Sequence, residues 1–325
     1  MLEEQDESGN TAYLLACENG RHEIVQNLLD EGKANVLATT NNNLTGLILA
    51  CRMGHLSVIE LLLQLPEDSQ FEIDGNGNGQ WTAGFMAACQ EGHLEVVSRL
   101  LDLPDKVIDV NAVDEGGFSG FMLACKYGHL KIINCLLEQP GESLEINQKS
   151  EFEGYSGFMV ACKKGHLHVV NRLLELHEEK IDIDARSNGN STAFILACEK
   201  GHHDIVERLL QVQEAEGRID FNAQERYLVP PENWDKVDPF KFEERVGNTG
   251  LMAACKNGHL EVVKRLLDQP SINKDTVDHK GCTGLDLATK EGHSDVVVAF
   301  QKHKQRQNRH GISSLDSIIS NVKFS

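Results

Sequence analysis

The sequence predicts an all-α solenoid made of eight stacked copies of one unit. The phrase Ala-Cys-x-x-Gly-His, followed by Val-Val or Ile-Val and then Leu-Leu, recurs with small variations along the 325 residues. The glycine of each copy falls at Gly20, Gly54, Gly92, Gly128, Gly165, Gly201, Gly258 and Gly292. The steps are 34 to 38 residues, except for one of 57. A self-similar unit of this length is typical of a solenoid, which offers an extended surface to a partner.

The composition narrows the class of partner. Fifty acidic and 31 basic residues give a net charge of −19, and an acidic chain repels phosphate backbones. We therefore expect no general nucleic-acid binding. No apolar stretch approaches the roughly 18 residues of a membrane helix, and the first residues lack the pattern of a secretory signal. These features predict an intracellular protein, cytoplasmic or nuclear, without membrane insertion.

The cysteines repeat with the unit. Seven of the nine occupy the same position, namely Cys17, Cys51, Cys89, Cys125, Cys162, Cys198 and Cys255. Neighbouring helices pack about 8–10 Å apart, whereas a disulfide needs Cα atoms within roughly 7 Å. No Cys-x-x-Cys pair is present for zinc. We expect buried free thiols in a reducing compartment, with no metal or cofactor.

Repeat four shows the order of elements within one unit. Asp114–Gly117 is rich in turn residues and predicts a short β-hairpin loop. Ser119 is placed to cap a first helix, and Gly128 ends it. A second helix follows, with apolar residues from Ile132 to Leu137 on one broad face. Such a unit cannot bury both faces alone, so each copy must pack against its neighbours.

This pattern resembles the ankyrin repeat from about residue 8 to about residue 301. The helix-capping residues that match the family are Thr11, Thr45, Ser119, Ser156, Thr192, Thr249 and Thr283. The Gly-His pair recurs, with Arg21 in place of histidine in the first copy. The usual Thr-Pro-Leu-His has lost its proline and histidine in every copy; Thr249-Gly250-Leu251-Met252 is typical. The resemblance also makes Asn111 a candidate for asparagine hydroxylation.

The domain organisation follows from the repeats. Residues 1–10 are predicted as an acidic N-terminal cap and 11–301 as the array, with an insertion at 225–247. Residues 302–325 combine a basic segment with a C-terminal helix that begins at a capping box, Ser313–Asp316. That helix either seals repeat eight or serves as a docking peptide for another protein.

The resemblance implies a non-enzymatic interaction scaffold or adaptor that binds a protein or peptide through its concave groove and hairpin tips. The alternative is a substrate-recruiting subunit of an enzyme complex, of the ubiquitin ligase or phosphatase type. From repeat four onward, the pair of residues before each glycine contains a lysine, which suggests an acidic partner. The predicted partner-binding residues are Phe118, Lys126, Tyr127, Phe152, Tyr155, Lys163, Lys164, Lys200 and Trp234. Solvated lysines and inward-tucked aromatics are the competing interpretation.

The 57-residue step adds a second candidate surface. Its insertion carries Tyr227, Trp234, Phe240 and Phe242 among three prolines. Four aromatics argue against a purely disordered loop. The insertion either packs back on the repeats or forms an arm for a partner.

Catalytic and metal sites are not indicated. Seven of the 14 histidines belong to the Gly-His pair, whose repetition indicates a structural role. No His-Glu-x-x-His, Walker A or Gly-x-Ser-x-Gly motif occurs. Asp74–Gly79 matches the first half of a calcium loop, but Phe85 stands where the bidentate glutamate belongs. We therefore predict that the protein is not an enzyme.

Overall fold

The computed structural model describes residues 4–65, 80–103, 108–139, 144–176, 180–229 and 243–307. Each copy of the unit folds into two helices joined at the repeated glycine. The first helices are α1 (Ala12–Glu18), α3 (Gly46–Met53), α5 (Gln80–Glu91), α7 (Gly120–Tyr127), α9 (Gly157–Lys164), α11 (Ala193–Lys200), α13 (Gly250–Lys256) and α15 (Gly284–Lys290). The second helices are α2 (His22–Asp30), α4 (Leu56–Leu63), α6 (Leu94–Leu101), α8 (Leu130–Leu137), α10 (Leu167–Leu174), α12 (His203–Glu216), α14 (Leu260–Leu267) and α16 (294–307). The predicted helical repeat fold is confirmed.

Strand structure is confined to the hairpin tips in the part of the chain that the structure describes. Isolated bridges close the tips at Thr39–Thr45, Val113–Ser119 and Lys149–Ser156. The two ends of the predicted insertion pair as antiparallel strands, β1 (Arg226–Val229) and β2 (Glu243–Val246), with Arg226 opposite Val246.

The first helices begin as the sequence predicts. Each of the seven predicted Ser or Thr caps accepts a hydrogen bond from the backbone N–H three residues later, at 3.3–3.4 Å. These bonds satisfy N–H groups that lack partners within the helix. Repeat three differs because Ala83 stands at the capping position, and α5 already includes Gln80. Gly128 ends α7 in the left-handed region, at φ 81°.

The chain divides into two compact units, and the division runs through repeat five. Unit 1 comprises Met1–Phe152, Ser156–Ala161 and Glu175–Ile181. Unit 2 comprises Glu153–Tyr155, Cys162–Leu174 and Asp182–Ser325.

In unit 1 the core is a column of first-helix side chains that meet the glycine at the start of the next first helix. Phe85 and Cys89 are fully buried, and a Cβ placed on Gly120 would lie 2.7 Å from Phe85 Cε1 and 3.2 Å from Cys89 Sγ. Gly46 faces Tyr13 and Cys17 in the same way. Glycine at this position therefore makes room for a large neighbouring side chain, where the family usually has proline.

In unit 2 the same packing recurs around an aromatic pair. A Cβ on Gly250 would lie 2.7 Å from Phe194 Cε1, and the Phe194 ring contacts Phe221 with centroids 4.5 Å apart. Repeat six has Ala193 instead of glycine at this position, and Ala193 is fully buried. The position thus tolerates a methyl group in one copy of the unit.

The repetition of the Gly-His histidines predicted a structural role, and the structure shows that this role is to link successive copies. In unit 1, Nε2 of His129 lies 2.8 Å from the carbonyl oxygen of Gln90, near the end of the preceding first helix. In unit 2, Nε2 of His202 lies 3.0 Å from the carbonyl of Lys163. Equivalent bonds are made by His55, His93, His259 and His293. Because a carbonyl only accepts, Nε2 carries the proton in each bond.

Candidate interaction surface

Repeat four brings three of the predicted partner-binding residues together. The Lys126 ammonium lies 4.6 Å from the centroid of the Phe118 ring and 5.5 Å from that of Tyr127. The Tyr127 ring stacks on His129 with centroids 6.4 Å apart and planes at 18°. Tyr127 remains 45% exposed, whereas Phe118 and Lys126 are half-buried. Lys126 contacts Phe118 because the hairpin tip carries Phe118 and the last turn of α7 carries Lys126. We call these residues the repeat-four cluster.

Repeat five forms a corresponding cluster within unit 2. The Lys163 ammonium lies 4.4 Å from the Tyr155 ring centroid and donates a hydrogen bond to the Tyr155 hydroxyl at 3.3 Å. Both side chains are half-buried, and Lys164 beside them is exposed. We call Tyr155, Lys163 and Lys164 the repeat-five cluster. In both clusters the aromatic residue directly precedes the cap and the lysine directly follows the buried cysteine.

Phe152 lies at the hairpin tip of repeat five. Its side chain is 69% exposed, and Glu151 and Glu153 flank it in the chain. Most of the Phe152 ring is therefore in solvent and not in the core. The acidic neighbours distinguish it from the two lysine-containing clusters.

Repeat six carries different chemistry at the same positions. Ser191 replaces the aromatic residue, and its hydroxyl donates to Glu225 Oε1 at 2.8 Å. Glu199 replaces the lysine after the cysteine, and it pairs with Lys200 at 2.8 Å. The predicted site residue Lys200 therefore has its charge balanced by its own neighbour. Trp234 lies outside the described residues.

Glu225 is a feature that the sequence did not indicate. Burial raises the pKa of the Glu225 carboxyl, and the nearby Glu199 carboxylate raises it further. The Ser191 hydrogen bond and the Lys256 ammonium act in the opposite direction. The only sequence signal is Ser191 itself, because a small polar residue before the cap leaves room for a carboxylate from the following hairpin tip.

Other predicted features have separate outcomes. Asn111, at the tip of repeat four, accepts hydrogen bonds from the Glu145 N–H on Oδ1 at 2.9 Å and from Gln148 Nε2 on its carbonyl at 3.0 Å. Its side chain thus joins two hairpin tips of unit 1. The segment Asp74–Gly79, Phe240, Phe242 and the helix expected near 313–322 lie outside the described residues.

The seven cysteines of the unit are buried and free. Burial raises the pKa of the Cys17 and Cys255 thiols to about 12, which makes these thiols poor nucleophiles. Among the described residues, no group of three or more metal-ligating side chains lies together. In the same described residues, no helix has the length and apolar character needed to cross a membrane.

The geometry defines a class of protein: stacked pairs of short helices whose repeated positions build the core and whose variable positions decorate the hairpin tips and helix ends. A family model described as "Ankyrin repeats (3 copies)" matches residues 2–74, 69–150, 121–225 and 224–310. The chain belongs to the ankyrin-repeat family, whose members are generally protein–protein interaction modules and are typically non-enzymatic. No curated protein matches it.

Proposed function

We propose that this protein is a non-enzymatic scaffold or adaptor that binds acidic, partly apolar segments of other proteins. The observation that supports the proposal is the same lysine–aromatic pair in two successive copies, Lys126 over Phe118 and Lys163 over Tyr155. Each pair offers a positive charge and an aromatic surface to one ligand. Aromatic and cationic residues are the types most often responsible for binding energy at interfaces.

Holding each lysine over an aromatic ring also favours binding, because it lowers the side-chain entropy that the lysine loses on meeting a partner. A solvated lysine loses rotamer freedom when it meets a partner, at a cost of roughly 0.5–1.5 kcal/mol. Lys126 and Lys163 are already held over aromatic rings, so part of that cost falls on folding instead. Exposed Tyr127 and Phe152 extend the apolar part of the surface within unit 1, and Lys164 extends the charged part within unit 2.

Nine free cysteines in the chain support a reducing compartment as the site of action. The identity of the captured partner separates a free-standing scaffold from a subunit that recruits substrates to an enzyme complex. In the second case the same surface would bind the substrate and a different surface the catalytic machinery.

The test compares binding by the wild-type protein with binding by charge-reversal variants. Lys126→Glu changes the repeat-four cluster, and Lys163→Glu with Lys164→Glu changes the repeat-five cluster. Lys131→Glu, an exposed change on α8, is the matched control. Affinity capture with mass spectrometry identifies partners, and titration calorimetry then measures each affinity. We expect each cluster variant to weaken binding about tenfold or more, which corresponds to about 1.4 kcal/mol, and the control to bind normally.

Circular dichroism establishes first that each variant keeps the wild-type helix content. The wild-type affinity should also fall as salt rises, because surface charges are screened. Partners bound equally well by all variants would contradict the proposal and would redirect the search to the insertion at 225–247.

A further inference from the structure

The first helices of repeats two to four end in an alternating pattern within unit 1. The last two residues of α3 are Arg52 and Met53, and those of α7 are Lys126 and Tyr127. Repeat three, which lies between them, has Glu91 as the last residue of α5. A cation followed by a large apolar residue therefore occurs at the same position two copies apart, and the copy between them has a carboxylate there.

These helix ends are open to solvent. Met53 is 46% exposed, about as much as Tyr127, and Glu91 is exposed as well. The Arg52 side chain is exposed beside Met53. Because Met53, Glu91 and Tyr127 occupy one position of the repeated helix, they lie in a row along one side of the stacked first helices. We call these three residues, with the cations Arg52 and Lys126, the helix-end row.

Contacts between copies hold the backbone of the helix-end row in place. Nε2 of His93 donates to the carbonyl of Arg52 at 2.9 Å, and Nε2 of His129 donates to the carbonyl of Gln90 at 2.8 Å. The Gln90 amide also donates to Glu91 Oε1 at 2.9 Å. The row is therefore a preformed surface, and binding does not require the protein backbone to become ordered.

The spacing of the row selects the conformation of a ligand. α3 packs against α5 and α5 against α7, and neighbouring helices lie about 8–10 Å apart. Three residues of polyproline II advance about 9.3 Å and return to the same side of the segment. Two turns of an α-helix advance about 10.8 Å, and strand residues on one side lie about 6.6 Å or 13.2 Å apart. Of these conformations, polyproline II is the one that places a side chain opposite each of three successive copies.

The chemistry of the row selects the residues of a ligand. Met53 and Tyr127 offer apolar contacts at the two ends, and Glu91 attracts a lysine or arginine in the middle. Arg52 and Lys126 each attract a carboxylate beside the apolar residue. The Lys126 ammonium already lies 5.5 Å from the centroid of the Tyr127 ring, so one ligand can contact both groups. The complementary ligand is therefore apolar and acidic at each end and basic at its centre.

We infer that repeats two to four bind a polyproline II segment of another protein. The segment carries apolar residues at positions i and i+6, a basic residue at i+3, and a carboxylate next to each apolar residue. This inference rests on the proposed function and specifies its partner. Lys126 belongs to both binding surfaces, whereas Met53 and Glu91 belong to the helix-end row alone.

The test selects ligands from short random peptides displayed on phage, with the full chain as bait. The enriched peptides should share two apolar residues six positions apart, with a basic residue midway. One enriched peptide is then synthesised, and the same peptide with one extra residue between its apolar positions is the control. Fluorescence anisotropy should show about tenfold weaker binding of the longer peptide, because its second apolar residue lies out of register.

Variants of the protein test individual positions once circular dichroism has shown that each keeps the wild-type helix content. Met53→Glu should weaken binding of the selected peptide about tenfold or more. Ile24→Glu, an exposed apolar position on the second helix α2, is the matched control and should bind normally. Glu91→Lys should also weaken binding, and replacing the central basic residue of the peptide by glutamate should restore it. Such a charge swap restores affinity only if Glu91 faces position i+3.

Three outcomes would overturn the inference. They are a selection that enriches no peptide, enriched peptides with apolar residues seven apart as in a helix, and equal binding of the selected peptide by the wild type and Met53→Glu. If peptides that ignore Met53 still lost affinity for Lys126→Glu, the proposed function would stand without this inference. Peptides that bind every variant equally would contradict both.

Discussion

Repeats four and six share a backbone plan and differ in what they present at their surfaces. Both begin the first helix at a hydroxyl cap, end it at a left-handed glycine, and bond a histidine to the copy before. Repeat four then places Lys126 over Phe118, whereas repeat six places Ser191 against Glu225 and pairs Glu199 with Lys200. The comparison teaches that the repeated residues maintain packing between copies, while the residues beside them set the chemistry that a partner meets.

The largest expected effect concerns the first residue of the helix, which is Gly120 in repeat four and Ala193 in repeat six. Gly120→Ala should destabilise the protein by about 2 kcal/mol, because the new methyl group would overlap Phe85 and Cys89. Ala193→Gly should cost about 1 kcal/mol, because the backbone gains flexibility and a buried methyl group is lost, but no overlap is forced. Urea unfolding followed by circular dichroism measures both.

A Gly120→Ala variant with an unchanged free energy of unfolding would show that packing does not require glycine at this position. The control introduces Gly120→Ala into a Phe85→Leu variant. The smaller side chain leaves more room, so Gly120→Ala should cost less stability in that variant than in the wild type.

Removing the histidine that bonds to the preceding copy should destabilise the protein equally in the two repeats. His129→Leu and His202→Leu each remove an Nε2 donor and leave the carbonyl of Gln90 or Lys163 without it. We expect a loss of about 1 kcal/mol in each case, at the low end for an unsatisfied polar group because these histidines are only half-buried. Unequal losses in the same unfolding assay would mean that the two copies do not share one interface design.

The smallest effect should appear in repeat six alone. Glu225→Gln keeps an oxygen for the Ser191 hydroxyl and removes a half-buried charge. The folded protein raises the pKa of the Glu225 carboxyl. Ionisation of this carboxyl therefore destabilises the folded state at pH values above the raised pKa, and it has no effect at pH values well below the unfolded pKa near 4.5. The variant should therefore melt about 1–2 °C higher at pH 7, and the gain should vanish below about pH 4.

Differential scanning calorimetry across pH checks this expectation. Glu115→Gln, an exposed change at the tip of repeat four, should leave the melting temperature unchanged. A gain for Glu225→Gln that is the same at pH 4 and pH 7 would show that charge is not its cause.

Most of the fold could be predicted from the sequence because its signals are local and repeated. The caps and the glycine after each first helix follow from residues at fixed spacing. The repetition of the histidines indicates a structural role, but not that each one bonds a carbonyl of the preceding copy. The sequence does not predict the start of α5, since Ala83 gives no capping signal. The pairing of β1 with β2 was also missed, because the residues that join these strands number too many for a turn pattern to set their register.

The candidate surface was only partly predictable. The sequence indicated Phe118, Lys126, Tyr155 and Lys163 separately, but not that each lysine lies over the aromatic residue eight positions before it. That contact depends on how the hairpin tip folds back toward the end of the helix, which no helical period encodes. Burial of Glu225 likewise requires the neighbouring copy to be in place.

The buried thiols make the opening of individual repeats measurable. A buried thiol reacts with an alkylating reagent only when its own part of the chain opens transiently. Cys17, Cys51, Cys89, Cys125, Cys162, Cys198 and Cys255 place such a reporter in each of the first seven copies without any substitution. Peptide mass spectrometry of a labelling time course would rank these copies by opening rate. Bound partner should slow the labelling of the copies it covers, so the native chain can reveal its own binding site.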